Sequence, residues 1–324
     1  VKVLILQVRR LGDVLMTTPM LRALKAAIPG VTTHICVERS SLPAVRTNPN
    51  LDQAILSPGG ASIRLVPVLR RQRYDVVIDT LGSPASARLA FLSGAPVRIG
   101  PDRPWRRPFY THPCPIREGT YSALAKLTRL APLGVRSSDA RIEVFPTHED
   151  EREAASLWDG FGLDARARVV AFSPVSRRAA KVWPPDRFAA VCDAWAERAG
   201  LLFLPLFGPG EGLMVDAVLR SSRCREAYLY PCAPVSFGAL APLITRCAFY
   251  FGNDNGIRHV AIAAGIPTAA VFAHPDPATW TPPDSPEHVY VGGRTRADRV
   301  TIDEADSMVA TLANALGLGR GLSW

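Results

Sequence analysis

Near its start the chain carries "VLILQV" (Val3–Val8), an unbroken apolar run of the kind that strands buried on both faces require. Leu21, Leu24 and Ile28 then recur at helical spacing, and Pro29-Gly30 ends the helix they predict. "VTTHICV" (Val31–Val37) reads as the second strand, "DVVIDT" (Asp75–Thr80) as another and "VRIG" (Val97–Gly100) as one more. Apolar runs alternating with amphipathic helices are the mark of βαβ units and a parallel sheet. Between Gly100 and His112 the pattern breaks in "PDRPWRRPFYT", which predicts a long loop, and "YSALAKLTRLAPLGV" (Tyr121–Val135) returns to helical spacing.

Apolar density falls around "RSSDARIEVFPTHEDE", which places a linker there and divides the chain into residues 1–150 and 151–324. A helix from Asp150 to about Asp159 fits either side. Beyond it "ARVVAFSP" predicts a strand, "DRFAAVCDAWAERAG" a helix ending at Gly200, and "LLFLPLFGPG" a strand entering a glycine turn. "SFGALAPLITRC" predicts a helix capped by Ser236, "AFYFGND" a strand, "GIRHVAIAAG" a short helix closed by Gly265, and "PTAAVFAHP" a further strand. A last helix spans about Ile302 to Leu316, with a Gly-rich tail after it. The economical architecture is α/β: two Rossmann-like domains with parallel sheets facing a cleft, the last helix free to pack back on the first domain.

Composition narrows the class. The 324 residues suit two domains, and 48% apolar with 21% charged residues describes a globular chain. No apolar run reaches the roughly 20 residues of a membrane-spanning helix. The start of the chain has no basic region, apolar core and cleavage site of a secretory signal, so a cytoplasmic location is expected. The six cysteines (Cys36, Cys114, Cys192, Cys224, Cys232, Cys247) never fall at C-x-x-C spacing, which argues against a disulfide framework or a zinc site. The net charge of +9 points to anionic partners, but no nucleic-acid motif organises the basic residues. Only four of them are lysines: Lys2, Lys25, Lys126 and Lys181.

Ligands of open parallel sheets bind beyond the carboxyl ends of the strands. Four stretches are predicted there. In "RRLGD" (Arg9–Asp13), Asp13 is either an ordinary helix cap or a carboxylate able to deprotonate a hydroxyl nucleophile. In "SPVSRRAAKVWP" (Ser173–Pro184), Lys181 is a solvated surface lysine or a compact charge for a diphosphate, with Ser173 and Ser176 able to donate to the same phosphates. "FGPGE" (Phe207–Glu211) lacks the spacing of a dinucleotide fingerprint, and Glu211 is a ribose-binding group or a favourable charge at a helix start. In "GNDNGIRH" (Gly252–His259), N–H groups from Asn255 and Gly256 onward can hold a phosphate, with His259 one turn further on. The bland reading there is that Asp254 caps the helix and His259 packs inside.

Taken in order, these four stretches resemble glycosyltransferase family 9, the bacterial heptosyltransferases that build the lipopolysaccharide inner core. "LGDVLMTTPMLRALKAAIPG" is similar to the family's opening, "KVWPPDRFAAV" to its lysine-tryptophan-proline segment, "FGPGE" to its glycine turn, and "GNDNGIRHVAIAAGIPTAAVFAHPDP" to its donor-site helix. The resemblance runs from Val3 to about Pro283. It implies a GT-B fold, with an N-terminal domain for the acceptor and a C-terminal domain for the nucleotide-sugar. It implies transfer of a heptose from ADP-heptose with inversion and without a metal or other cofactor. By position Asp13 is then the general base, Lys181 neutralises the diphosphate and Glu211 binds ribose. Asp254, Asn255, Gly256 and His259 form the diphosphate and sugar pocket.

The chain departs from the family at Asn255, where a small residue is usual, at "FAHP" (Phe272–Pro275), which sets His274 in an unusual place, and in "SPVSRRAA". These departures leave the donor sugar open. Arg9, Arg10 and Gly12, with Arg98, Arg103, Arg106 and Arg107 near "WRRPFY", are the expected contacts of an anionic acceptor, a glycolipid or oligosaccharide. The same loop is suited to the inner face of the cytoplasmic membrane. Two alternatives remain: a GT-B relative that epimerises or hydrolyses a nucleotide-sugar, and a nucleotide-sugar-binding protein without catalysis. A Rossmann oxidoreductase is disfavoured by the missing fingerprint.

Overall fold

The structure, a computed structural model, describes residues 1–230, 234–274, 276–293 and 295–318. The chain separates into two compact units, Val1–Phe145 and Pro146–Trp324. The division falls just ahead of the position suggested by apolar density. Its reason is local: Thr147 and Asp150 form a capping box that starts the first helix of the second unit.

In the first unit the order is β1 (Lys2–Leu6), α1 (Leu11–Leu15), α2 (Thr18–Ala27), β2 (Thr32–Glu38), β3 (Gln53–Ser57), α3 (Val66–Gln72), β4 (Val76–Asp79), α4 (Pro84–Leu92), β5 (Val97–Pro101), β6 (His112–Cys114) and α5 (Ser122–Leu127). The strands form one parallel sheet in the order β3-β2-β1-β4-β5-β6. Val3 to Leu6 of β1 are all buried, as a central strand covered on both faces demands. The loop predicted between Gly100 and His112 is shorter than expected. Pro101 pairs with Cys114 at the end of β6, and a single turn at Arg107–Phe109 fills the interval.

The second unit runs α6 (His148–Gly160), β7 (Arg168–Ser173), α7 (Pro185–Ala199), β8 (Leu201–Pro205), α8 (Gly212–Ser221), α9 (Phe237–Ile244), β9 (Phe249–Asn253), α10 (Gly256–Ala263), β10 (Thr268–Phe272), β11 (His288–Gly292) and α11 (Ile302–Ala315). Its sheet, also parallel, has the order β11-β10-β9-β7-β8. Phe172, Trp183, Phe188, Trp195, Phe203 and Phe251 fill the core beside it. Ser236 caps α9 as expected, its hydroxyl accepting from Ala239 N. The last helix, α11, packs on α7, β10 and β11 of its own unit.

Both sheets have a switch point, where the chain turns from one side of the sheet to the other: β1/β4 in the first unit and β7/β9 in the second. Crevices open at the carboxyl ends of such strand pairs. The β7/β9 pair is pressed tight there, since a Cβ on Gly252 would lie 2.2 Å from the Ser173 carbonyl oxygen. Among the described residues no helix is long and apolar enough to cross a membrane. Cys232 lies outside the described residues; the other five cysteines are buried free thiols.

Candidate functional site

At the end of β1 side chains bond to the backbone. The Thr80 hydroxyl bonds to the Leu6 carbonyl at 2.8 Å and to Gln7 Oε1 at 2.6 Å, and Gln7 Nε2 donates to the Arg9 carbonyl at 3.0 Å. Arg10 then takes φ 64°, a conformation that costs a non-glycine residue about 1–3 kcal/mol. Arg10 occupies the cap position of α1; Asp13 lies inside the helix. The capping alternative for Asp13 is thereby removed. Lys126 on α5 faces Asp13, with Nζ 3.8 Å from Oδ1. Lys126 Nζ also donates to Ser122 Oγ at 2.8 Å. The lysine side chain is 6% exposed and the aspartate 22%, so the carboxylate is the member that solvent reaches. Burial pushes the Lys126 ammonium down to about 8; Asp13 pulls it up and Arg129 adds to the depression.

Nearby, at the end of β4, Asp79 is fully buried and accepts from Tyr110 OH at 2.7 Å and from the N–H groups of Leu81 and Gly82 at 2.9 and 3.0 Å. Burial raises its carboxyl above the usual range despite those bonds. Asp79 thus ties the β4 end to the segment before β6, and its capacity is used within the fold.

The expected acceptor cations divide. Arg98 is turned inward, donating to the carbonyls of Phe109 at 3.0 Å and Ala95 at 2.7 Å and lying over the Phe91 ring. It fastens its own loop, which corrects its assignment to an acceptor surface. Arg9 lies 3.3 Å from Glu38, whose carboxylate also holds Gly60 N. Arg107 lies 3.8 Å from Asp102. Arg10 and Arg103 are exposed, Arg106 is half-buried and Gly12 is buried in α1. Trp105 among them is 92% exposed.

In the second unit two asparagines join the carboxyl ends of β7 and β9. Asn253 Nδ2 donates to the Pro174 carbonyl at 2.7 Å, and its Oδ1 accepts from Trp183 N at 3.1 Å. Asn255 Oδ1 caps α10, accepting from Ile257 N at 2.9 Å and Arg258 N at 3.1 Å. Its Nδ2 donates to Ser173 Oγ and the Val175 carbonyl, both at 3.0 Å. Together they staple the segment after β7 to the turn after β9. This gives the departure at Asn255 a physical reason, and it corrects two expectations. Asn255, not Asp254, caps the helix. The cap also occupies two first-turn N–H groups, so Gly256 N–H is the first-turn donor it leaves.

Over this frame Lys181 Nζ meets Asp254 Oδ2 at 2.7 Å. Asp254 Oδ1 also lies 3.9 Å from Arg258 Nη1 and 4.0 Å from His259 Nε2. Arg258, which sequence reasoning passed over, is fully buried, rests on the Phe272 ring and donates to the Trp280 carbonyl and Thr281 Oγ1. His259 packs near the Trp280 ring at 5.8 Å. The cluster holds two basic side chains, Lys181 and Arg258, and one carboxylate, Asp254, a balance suited to an anion. Lys181 is its more accessible member, 15% exposed against 5% for Asp254.

Three other expected donor residues serve the fold as placed. The Ser173 hydroxyl is wholly buried and gives its proton to the Leu206 carbonyl at 2.8 Å. Ser176 Oγ accepts from Arg178 N at 3.4 Å. Glu211 folds back on its own turn, accepting from Gly208 N at 2.8 Å. His274 is exposed. Among the described residues no three His, Cys, Asp or Glu side chains converge as metal ligands would.

Comparison with known proteins decides the family. Residues 62–308 match glycosyltransferase family 9, the heptosyltransferases. The chain belongs to glycosyltransferase family 9. It is an enzyme of the transferase class, and its two-unit architecture is the GT-B fold. Among curated relatives, lipopolysaccharide heptosyltransferase 3 of Escherichia coli is 27% identical over 288 residues, which span 84% of this chain and 83% of that protein. Of solved structures, the family 9 glycosyltransferase of Veillonella parvula superposes with a TM-score of 0.81 at 23% identity, covering 97% of this chain and 96% of that one. The E. coli heptosyltransferase WaaC with ADP gives 0.74 at 18% identity, covering 98% and 99%. In this family 9 enzyme, the two carboxylate–lysine pairs lie at the switch points of the two sheets.

Proposed function

We propose that the enzyme transfers a heptose from ADP-heptose to a hydroxyl of an anionic glycan acceptor of the lipopolysaccharide inner core, with inversion at the anomeric carbon. The observation that carries this reading is the opposite polarity of the two pairs: the accessible member is a carboxylate in the first unit and an ammonium in the second. An inverting displacement needs those two groups, a base on the acceptor and a cation on the leaving group. The acceptor hydroxyl oxygen attacks the anomeric carbon on the face opposite the diphosphate, and its proton passes to Asp13. The bond from carbon to the diphosphate oxygen breaks, its electron pair leaving with ADP. Lys181 turns from Asp254 toward that growing charge, and Arg258 keeps Asp254 neutralised when it does. The reading uses no metal or resident cofactor, because Lys181 and Gly256 N–H supply the positive side of the site.

Acceptor recognition falls to Arg10, Arg103 and Arg106, with Arg9 and Arg107 only loosely held by their carboxylates. The exposed Trp105 among these arginines favours peripheral contact with the inner membrane face, where a lipid-linked acceptor resides.

The test is ADP release from ADP-heptose, with and without a core oligosaccharide, for wild type and Asp13→Asn. Release that depends on acceptor and collapses in the variant supports the reading. Acceptor-independent release would make the protein a hydrolase, and ADP binding without release under any acceptor would make it a binding protein.

A further inference from the structure

Lys126 lies in no motif of the chain, and a lysine is among the costliest side chains to bury. Here it is 5% exposed, and its ammonium meets the neutral Ser122 hydroxyl and the Asp13 carboxylate. A cation so placed must be compensated, and Asp13 is the carboxylate that does it. The reverse effect bears on chemistry. The buried ammonium 3.8 Å from Oδ1 attracts the carboxylate and fixes its direction. It also restricts the rotamers of a side chain that sits on a short helix behind a strained residue.

We propose that Lys126 is the positioning residue of the base: its buried ammonium holds the Asp13 carboxylate oriented while the acceptor hydroxyl approaches. This rests on Asp13 being the base, as argued above. The charged groups bearing on Lys126 are Asp13 from α1 and Arg129 from the turn after α5. The helix α2, also packed on α5, carries Arg22 and Lys25, and these are occupied by Asp139, Glu143 and Asp52.

Lys126→Met is the informative variant. Its acceptor-dependent kcat is expected to fall about tenfold while the KM for donor stays within about twofold. Lys126→Arg restores kcat. A purely structural lysine would lower stability and leave the kcat of the folded variant unchanged, and that result overturns the proposal. Wild type supplies a second reading that needs no variant. The Asp13 carboxyl carbon, followed by NMR, is expected to show an inflection near pH 8, where its neighbour gives up its proton. A flat response from pH 7 to 10 overturns the proposal even if Lys126→Met does not fold. If Asp13→Asn keeps full transferase activity, the base assignment itself fails. If Asp13→Asn is inactive while both Lys126 readings are flat, only the positioning role fails.

Discussion

The two units carry the same device with its polarity reversed. In the first, Asp13 and Lys126 stand 3.8 Å apart and the lysine is the buried partner. In the second, Lys181 and Asp254 stand 2.7 Å apart and the aspartate is the buried partner. A buried ion needs a counter-ion, so each hidden member fixes the charge of the accessible one. The first unit thereby presents a carboxylate beside the end of β1. The second presents an ammonium on a cluster that keeps a surplus of positive charge through Arg258. An ion pair is weak support for stability in itself, because desolvation consumes most of the attraction. In the proposed reaction its use is to set which sign of charge meets the substrate.

Substitution separates the two devices. Asp13→Asn should give the largest effect, a loss of roughly 10²- to 10⁴-fold in acceptor-dependent kcat, the range general-base catalysis supplies. ADP affinity should be unchanged, as read by titration calorimetry.

The burial of Lys126 should be visible in the pH dependence of stability. Its folded value of about 8 lies below the ordinary 10.5, so between those values the unfolded chain binds more protons. Stability therefore rises with pH through that window, by up to about 3 kcal/mol at 1.36 kcal/mol per unit. Chemical denaturation of wild type against Lys126→Met across pH 7 to 11 isolates the contribution.

Lys181→Met should cost about 2 kcal/mol, less than the 3–5 kcal/mol of a broken buried pair because Arg258 still faces Asp254. ADP affinity should fall at least about tenfold with it. Adding Asp254→Asn should recover stability and not affinity, which distinguishes ligand binding from support of the fold. The smallest effect is expected at Asn255. Asn255→Ala removes the α10 cap, worth about 1 kcal/mol by thermal melting, and loosens the staple to Ser173 and Val175.

Much of this frame was legible in the residues. Central strands such as β1 and β9 are buried on both faces and announce themselves as continuous apolar runs. The helices α9 and α10 carry clear caps or stops at Ser236 and Gly265. The strands that escaped are three of the four at sheet edges, β3, β6 and β11. An edge strand is half exposed, and β6 is three residues with a proline in the middle, so neither period nor composition marks it.

The candidate site shows the same division. Asp13, Lys181 and Asp254 sit in local motifs, each just beyond the carboxyl end of a strand, and were legible there. Lys126 and Arg258 were not. Lys126 meets Asp13 only because α5 packs on α2, a contact that no local spacing encodes. Its one signal was scarcity, since it is one of four lysines in an arginine-rich chain. Arg258 was hidden in plain view inside "GNDNGIRH", where an apolar helix face gave no hint of a buried cation. Arg98 misled for the converse reason: an arginine in a basic loop looks free until its hydrogen bonds to Phe109 and Ala95 are seen.

The most direct test of the reversed pairs is titration calorimetry of ADP into wild type, Asp13→Asn and Lys181→Met under one set of conditions, alongside acceptor-dependent turnover of each. The account predicts that Asp13→Asn binds ADP like wild type and does not turn over, while Lys181→Met loses ADP affinity by at least about tenfold. Equal ADP affinity in wild type and Lys181→Met, or lost affinity in Asp13→Asn, would contradict it.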